Sequence, residues 1–271
     1  MHILSKRKDG FHNLQTIFQL LDYSDEISIN YRSDGVINRV SGNEGIPLDQ
    51  DLLVRSAIKL KSISGAKGGA DISIVKKIPI GGGLGGGSSN AATVLIVLNR
   101  LWSLDLSKQE LIYIGQNLGA DIPLFIDGHS SWAEGVGELL TPINLPKYFY
   151  LVVSIGKQIS TKEIFTHKAL TMSSVQRKIT DFSMVSNPHN DCLDAAIAME
   201  SELEEVITHL DSTENHVGFA RMTGTGCCVF VAFENEKDAL LADNKLPTHW
   251  SSFVAKAIDR SPLHNRGVAK W

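Results

Sequence analysis

The chain has few cysteines, no surplus of basic charge and no long hydrophobic run. Its three cysteines, Cys192, Cys227 and Cys228, are too few and too clustered for a disulfide framework or a metal site, so a reducing cytoplasm is expected. Its 26 Lys and Arg residues against 30 Asp and Glu residues leave no positive charge to neutralise nucleic-acid phosphates. The longest apolar run, residues 91–98, is far shorter than the roughly 20 residues of a membrane span. These absences argue against nucleic-acid and membrane partners.

The hydrophobic pattern mixes strands and helices without strict alternation, which indicates an α+β protein of two layered domains. Strands are predicted over residues 26–31, 71–75, 148–154, 227–233 and 253–257. Helices are predicted over 52–63, 88–101, 107–119, 191–210 and 234–243, with capping boxes at Ser107–Glu110 and Ser160–Glu163. Two prolines within residues 141–146 mark the candidate boundary, so we expect one domain over 1–142 and another over 143–271.

Six glycines fall within the seven residues Gly81–Gly87, and these are about a quarter of the 23 in the chain. Glycines let backbone N–H groups converge without interference from Cβ atoms, which makes a cradle for an anion. A helix that begins at Ser88 would aim its positive end at the same place. A flexible linker is the alternative, but a linker would not lie between Ile78–Ile80 and an apolar helix. The run therefore predicts phosphate binding.

Two familiar phosphate loops do not fit this run. The Walker pattern requires Lys after its last glycine, and here Ser88 follows Gly87. The spacing G-x-G-x-x-G is present, but it is a weak signal in so dense a run. Asp105 has the spacing of the acidic residue in a dinucleotide fold, yet no strand precedes it. A different kind of phosphate loop is indicated.

The longer run from Pro79 to Ala92, PIGGGLGGGSSNAA, resembles the Pro-x-x-x-Gly-Leu-Gly-Ser-Ser signature of the GHMP kinases. It is similar in particular to a branch that acts on a cytidine-diphosphate-linked methylerythritol in non-mevalonate isoprenoid synthesis. Further segments resemble that branch at residues 8–16, 118–123, 133–138, 190–191, 223–226 and 261–264. The resemblance therefore runs from His2 almost to the C-terminus.

The resemblance implies a two-domain fold, with an N-terminal ATP-binding α/β domain and a C-terminal ferredoxin-like α+β domain. It implies transfer of a phosphoryl group from ATP·Mg²⁺ to the 2-hydroxyl of the methylerythritol, in a bacterial cytosol or a plastid-type pathway, by a monomer or homodimer. It assigns catalysis to Asp121, cytidine binding to Phe11, His12 and Phe165, and a Mg²⁺ ion near Ser88. The residues that it assigns to ATP are Pro79, Ile80, Gly81, Gly82, Gly83, Leu84, Gly85, Gly86, Gly87, Ser88, Ser89, Thr223 and Gly224.

The residues by themselves leave some of these roles open. Asp121 follows a helix end and precedes Ile122-Pro123, so a carboxylate held at that turn can accept a hydroxyl proton, but a turn-forming Asp is the simpler interpretation. His12 with Phe11 can bind a base or belong to the core, and Phe165 alone is better explained as a core residue. The segment 223–226 equally fits a plain turn, after which Cys227 packs as a small apolar residue.

The sequence departs from the family at its start. The family's first strand carries a lysine that pairs with the catalytic aspartate, and Met1–Leu4 corresponds only to the end of that strand. We therefore expect a truncated first strand, through a late start codon, removed residues or natural truncation. Without the positive charge of that lysine, the negative charge that develops during phosphoryl transfer is less well stabilised. A catalytically silent nucleotide-binding protein, or a GHMP kinase for another small alcohol, is thus the alternative to an active kinase of this branch.

Overall fold

The computed structural model describes residues 1–172, 175–179 and 189–265. Its strands are β1 (His2–Lys6), β2 (His12–Phe18), β3 (Leu20–Leu21), β4 (Glu26–Arg32), β5 (Ile37–Ser41), β6 (Gly69–Val75), β7 (Ser131–Glu134), β8 (Leu139–Pro142), β9 (Phe149–Ser154), β10 (His216–Met222), β11 (Cys228–Phe233) and β12 (Ser251–Ile258). Its helices are α1 (Leu52–Ser64), α2 (Gly86–Leu101), α3 (Lys108–Gln116), α4 (Ile122–Asp127), α5 (Thr161–Thr166), α6 (Leu193–Met199), α7 (Glu202–Asp211), α8 (Glu236–Asp243) and α9 (Pro262–Asn265).

Contacts between residues divide the chain into two compact units, each made of separate stretches. The first unit comprises Met1–Tyr23, Pro79–Leu84 and Ser130–Asp259. The second comprises Ser24–Ile78, Gly85–His129 and the described residues from Arg260 onward. The boundary expected between residues 142 and 143 lies inside the first unit and stays a prediction about domain organisation.

The first unit contains two sheets, with strand orders β1-β2-β7-β8 and β10-β11-β9-β12-β3. Strand β9 lies in the middle of the larger sheet and pairs antiparallel with both β11 and β12. Its alternate residues face opposite ways, as the period of two requires. Leu151 and Val153 pack into a core that includes residues of α5, α7 and α8, while Tyr150 and Val152 pack into a smaller cluster. A strand that is buried on both faces explains the unbroken apolar run in this part of the sequence.

The second unit packs five helices and the sheet β4-β6-β5 around one core. Helix α2 is central to that core, and Ala91, Val94, Leu95 and Leu98 on it are fully buried. Helix α1 packs against α2, with its N-terminus capped by the carboxylate of Asp51. The apolar composition of α2 follows from this position, since a central helix meets neighbours on most of its surface. The start of α2 is therefore held by the packing of its body.

The predicted α+β mixture and most predicted elements are confirmed. The capping box Ser107–Glu110 is present in both directions, and Ser160 caps α5 through the N–H of Glu163. All three cysteines are buried free thiols, in agreement with apolar packing. Among the described residues, no helix combines the length and apolarity needed to cross a membrane.

Four predicted helices differ from the structure by two residues or more at an end, and one of them is α8, which begins at Glu236 rather than Glu234. Helix α2 begins at Gly86 rather than Ser88, because Gly85 takes a left-handed conformation (φ +67°) that starts the helix before the serines. The helix predicted over 191–210 is two helices, α6 and α7, because Glu200 leaves the helical region with φ −140° and ψ 89°. Helix α3 ends at Gln116 rather than at Gly119, which lies in the turn before α4.

Candidate functional site

The first part of the glycine run, Gly81–Leu84, is tightly docked within the first unit. The carbonyl of Gly82 accepts from the N–H of Cys228 at 3.1 Å, and the carbonyl of Gly83 accepts from Oγ1 of Thr223 at 3.0 Å. A Cβ on Gly82 would lie 2.5 Å from Sγ of Cys228, and one on Gly83 would lie 2.3 Å from the carbonyl oxygen of Thr223. These glycines allow a close approach of two backbones, which no larger residue permits.

The turn at residues 222–224, which contacts this part of the run, is fixed by hydrogen bonds of its own. The N–H of Thr223 donates to the carbonyl of Cys228, and Gly224 takes a positive φ of +54°. The buried side-chain amide of Asn190 donates to the carbonyls of Met222 and Gly224, at 3.0 and 2.9 Å. The structure thus brings Thr223 and Gly224 together with Gly83, and the assignment of these residues to ATP stays a prediction.

Three apolar residues accompany the glycines of the first part: Pro79 and Ile80 precede it, and Leu84 is its last residue. Pro79 packs close to Gly82, Ile80 is 46% exposed, and Leu84 packs partly against the smaller cluster of the first unit. Their apolar side chains bring no charge to the run, so any anion binding there depends on backbone N–H groups.

The second part of the run, Gly85–Ser89, forms the open start of α2 in the second unit. Gly85 is the N-cap residue and provides no side-chain cap, while the first intrahelical bond runs from the N–H of Ser89 to the carbonyl of Gly85. The amides of residues 86–88 therefore have no acceptor within the helix. Together with the helix dipole they make a positive end that suits phosphate oxygens. Ser88 is half-buried in this first turn and can add a hydroxyl.

Asp121 lies at the N-cap position of the short helix α4, where its backbone has φ −87° and its side chain caps no N–H. The carboxylate is half-buried, and desolvation by burial raises its pKa above the usual value of 3.8. Within the described part of the second unit it has no hydrogen-bond or ion-pair partner. A carboxylate in this state is free to accept a proton from a bound hydroxyl.

The turn that carries Asp121 is a neighbour of the start of α2. Helix α4 packs against α2, and a Cβ on Gly85 would lie 2.9 Å from Cζ of Phe125 on α4. In the same turn as Asp121, a Cβ on Gly119 would lie 3.8 Å from Oγ of Ser88. Within the second unit, the start of α2, the hydroxyl of Ser88 and the turn that carries Asp121 are therefore neighbours.

The three residues assigned to cytidine lie in the first unit. His12, the first residue of β2, is buried, and its ring stacks on that of Phe165 with centroids 5.0 Å apart and planes 21° apart. Burial lowers the pKa of His12, so its imidazole is neutral at pH 7 and can both donate and accept a hydrogen bond. Phe11 lies in the turn after β1 and is 60% exposed, which leaves a ring face for stacking.

Two polar residues, Gln15 in the first unit and Asp25 in the second, had little or no signal in the sequence. Gln15 is 1% exposed, and its amide nitrogen donates to Glu134 and to the carbonyl of Arg177, while its oxygen accepts from the N–H of Arg177. The only signal for it is its place in the matching segment three residues after His12. Asp25, described below, had no signal beyond its place before a strand.

A group of possible metal ligands also lies in the first unit. His2, His189 and Asp191 offer ligand atoms within 4.8 Å of one another. The carboxylate of Asp191, however, already accepts from the N–H of Ile3 and from Nε2 of His189. These bonds explain the cluster as a structural tie between β1 and the segment before α6.

Comparisons with known proteins agree with these features. The profile of the GHMP kinases N terminal domain matches residues 51–129, which include α2 and Asp121. A 4-diphosphocytidyl-2-C-methyl-D-erythritol kinase of Ruthia magnifica is 56% identical over 270 residues, which cover 100% of this chain and 95% of the relative. Its counterpart in Alkalilimnicola ehrlichii is 46% identical over 98% of this chain and 90% of the relative.

Solved structures share the fold. A crystal structure of 4-(cytidine 5'-diphospho)-2C-methyl-D-erythritol kinase superposes with a TM-score of 0.78 at 27% identity, over 94% of each chain. The mevalonate kinase of Methanococcus jannaschii superposes with a TM-score of 0.62 at 14% identity, over 93% of this chain and 100% of that one, and supports the fold alone. The expected two-domain GHMP kinase fold is confirmed, and the chain belongs to the 4-diphosphocytidyl-2-C-methyl-D-erythritol kinase family.

Proposed function

We propose that this chain transfers the γ-phosphoryl group of ATP to the 2-hydroxyl of 4-diphosphocytidyl-2-C-methyl-D-erythritol, within the non-mevalonate isoprenoid pathway. The observation that carries the proposal is the 56% identity over the whole chain to a kinase of that name. We further propose a cytoplasmic enzyme, which the three free cysteines favour, acting as a monomer or homodimer.

The proposed roles in ATP binding follow the two parts of the glycine run. The amides of residues 86–88 and the hydroxyl of Ser88 would hold phosphate oxygens at the start of α2, where the helix dipole favours negative charge. The backbone of Gly81–Leu84, which the hydroxyl of Thr223 fixes within the first unit, is also proposed to contact ATP. Preorganised donors of this kind stabilise charge without reorganising during the reaction.

Asp121 is proposed as the base. The substrate oxygen forms a bond to the γ-phosphorus, the bond from that phosphorus to the β-bridging oxygen breaks, ADP leaves, and the hydroxyl proton passes to the carboxylate of Asp121. The raised pKa of Asp121, which follows from its burial, makes it a better proton acceptor than an exposed aspartate.

The donor set beside α2 suits Mg²⁺, which prefers oxygen ligands and usually binds through one or two carboxylates and substrate phosphates. The hydroxyl of Ser88, together with phosphate oxygens of ATP, would hold the ion, which leaves the carboxylate of Asp121 available to accept the proton. Bound there, Mg²⁺ supplies neutralisation of charge on the phosphates.

The cytidine group is proposed to bind in the first unit. The exposed ring of Phe11 offers a stacking face, and the neutral ring of His12, held against Phe165, offers a hydrogen bond to an uncharged base. These residues would give the enzyme its preference for a nucleotide-linked alcohol over a small alcohol.

The test is a reaction of the chain with ATP, Mg²⁺ and the cytidine-diphosphate-linked alcohol, followed by a coupled assay for ADP and by phosphorus NMR of the product. We expect ADP and one new phosphate ester in equal amounts. Binding of both ligands without turnover would instead identify a silent nucleotide-binding protein. Turnover of a small alcohol without cytidine would identify a different GHMP kinase.

A further inference from the structure

A buried ion pair lies beside the first turn of α2, outside the residues that the glycine signature assigns. Asp25 precedes β4, and its side chain has no exposed surface. Its Oδ2 accepts from Nζ of Lys76 at 2.5 Å and from Nδ2 of Asn90, the fifth residue of α2, at 2.8 Å. One carboxylate oxygen therefore joins α2 to the residue that follows β6.

The other oxygen of Asp25 binds backbone. Its Oδ1 accepts from the N–H of Lys77 at 2.7 Å and from the N–H of Ile78 at 2.9 Å. Residues 76–78 form the segment that leads directly into the glycine run. The two oxygens thus serve different partners, since Oδ1 fixes the path of this segment and Oδ2 ties the segment to α2.

Four donors compensate the burial of this charge. Burial by itself raises the pKa of Asp25, but the hydrogen bonds from Lys76, from the two backbone N–H groups and from Asn90 outweigh it and hold the pKa below its usual value. Asp25 is therefore ionised at neutral pH, and each of its contacts is a charge-assisted hydrogen bond. Such a network holds its members in one geometry more strictly than neutral contacts do.

The arrangement leaves the helix start available for an anion. Asp25 accepts from the side chain of Asn90 and not from the amides of residues 86–88, which remain unused within the helix. Lys76 neutralises the charge of Asp25, and its Nζ lies 3.4 Å from the position of a Cβ on Gly86. An unpaired carboxylate at this place would repel a phosphate group.

We propose that Asp25 is a positioning residue for the nucleotide, which holds the first turn of α2 against residues 76–78 and, paired with Lys76, keeps that turn electrostatically positive. This inference rests on the function proposed above, and it adds a residue that affects ATP binding indirectly, by positioning the groups around it. With both carboxylate oxygens engaged by protein donors, Asp25 would act on ATP only through these neighbours.

The test compares Asp25→Asn with Glu26→Gln. The first variant keeps an oxygen for the backbone N–H groups but places an NH₂ group opposite two donors, Lys76 and Asn90. The second makes the same chemical change one residue later, at a carboxylate that pairs with Lys77 on the exposed surface. We expect Asp25→Asn to raise the Kd for ATP, measured by calorimetry, by about tenfold or more, because a small displacement of binding groups costs that much. Glu26→Gln should leave it within about twofold.

A further variant, Asn90→Ala, keeps the test decisive if Asp25→Asn folds poorly. Asn90→Ala removes one of the four contacts and should raise the Kd and the KM for ATP several-fold, while the KM for the cytidine-linked alcohol stays within about twofold of the wild type. ATP affinity unchanged in both folded variants would overturn the proposal. So would an equal rise in the KM of both substrates, since that is the mark of a general structural role.

The two proposals fail in different ways. ATP affinity is measured without the acceptor alcohol, so a wild-type chain that binds ATP and phosphorylates no cytidine-linked alcohol contradicts the proposed function and leaves the effect of Asp25→Asn readable. A wild-type chain that phosphorylates the alcohol, with ATP affinity insensitive to Asp25→Asn, contradicts only the role of Asp25.

Discussion

The two parts of the glycine run use the same residue type for different reasons. In Gly81–Leu84 the glycines let one backbone approach another, and a Cβ on Gly83 would collide with the carbonyl of Thr223 at 2.3 Å. In Gly85–Ser89 the run opens a helix, and a Cβ on Gly87 would meet Leu52 at an ordinary 3.5 Å. The first part is docked against the turn at Thr223, and the second begins α2, where Gly87 has room for a Cβ although Gly85 and Gly86 do not. Variants should therefore separate stability from chemistry.

The largest expected effect is on kcat, for a variant of Asp121, whose turn lies near the start of α2. Asp121→Asn should lower kcat by about 10²–10⁴-fold, since the amide cannot accept the proton of the attacking hydroxyl. ATP affinity should stay near that of the wild type, as measured by calorimetry. Retained turnover would refute the assignment of Asp121 as the base.

The same variant should not lose stability. Burial raises the pKa of Asp121, so between the unfolded pKa and the folded pKa the folded state binds more protons than the unfolded state. Stability therefore falls as the pH rises through that window, and the cost persists at pH 7. Asparagine buries no charge, so thermal unfolding at pH 7 should give Asp121→Asn a higher Tm than the wild type, with the difference vanishing below the unfolded pKa of Asp121. A lower Tm at pH 7 would contradict this account.

The next largest effect is expected on the free energy of unfolding, for a variant in Gly81–Leu84. Gly83→Ala forces a non-glycine residue to φ +73°, at about 1–2 kcal/mol, and adds a backbone clash. We expect at least about 2 kcal/mol of lost unfolding free energy, seen in thermal or urea unfolding, and a parallel loss of activity. Wild-type stability in this variant would show that the docking against Thr223 is not rigid.

A smaller effect is expected at the partner of Gly83. Thr223→Val removes the hydroxyl that donates to the carbonyl of Gly83 and should cost about 1 kcal/mol of unfolding free energy. Thr223→Ser keeps the hydroxyl and is the matched control. Equal Tm values for the two variants would mean that the hydrogen bond contributes nothing.

The smallest effect has the opposite sign. Gly87 is helical and its Cβ would make only an ordinary contact with Leu52, so Gly87→Ala should raise the unfolding free energy by roughly 0.5–1 kcal/mol through the entropy of the unfolded chain. Comparing its Tm with that of Gly83→Ala measures the difference between the two parts directly. Similar destabilisation in both variants would remove the distinction.

The sequence predicted elements whose signals are local. The Ser107–Glu110 box and the N-cap Asp51 were correct because caps bind amides two or three residues away. Strands such as β2 and β7 were not predicted, since their pairing depends on residues more than 100 positions apart. The start of α2 was placed two residues late, because Gly85 takes a left-handed conformation that begins the helix before the serines.

The residues of the candidate site also differ in whether the sequence around them made them recognisable. The glycine run and the turn at Asp121 were visible as motifs, and the resemblance supplied their chemistry. Asp25 was not visible, since its four donors come from residues 76–90, far along the chain. Asn190 was noted only as a short match, and its role in pinning Gly224 depends on a contact 34 residues away. Buried polar networks of this kind are properties of the folded chain rather than of any segment.

The central claim is that the chain phosphorylates a cytidine-diphosphate-linked alcohol with Asp121 as the base. The direct measurement is phosphorus NMR of the wild type and Asp121→Asn incubated with ATP, Mg²⁺ and 4-diphosphocytidyl-2-C-methyl-D-erythritol. We expect a new phosphate ester, formed in step with ADP by the wild type and at least about a hundredfold more slowly by the variant. No ester from the wild type, or equal rates from both proteins, would contradict it.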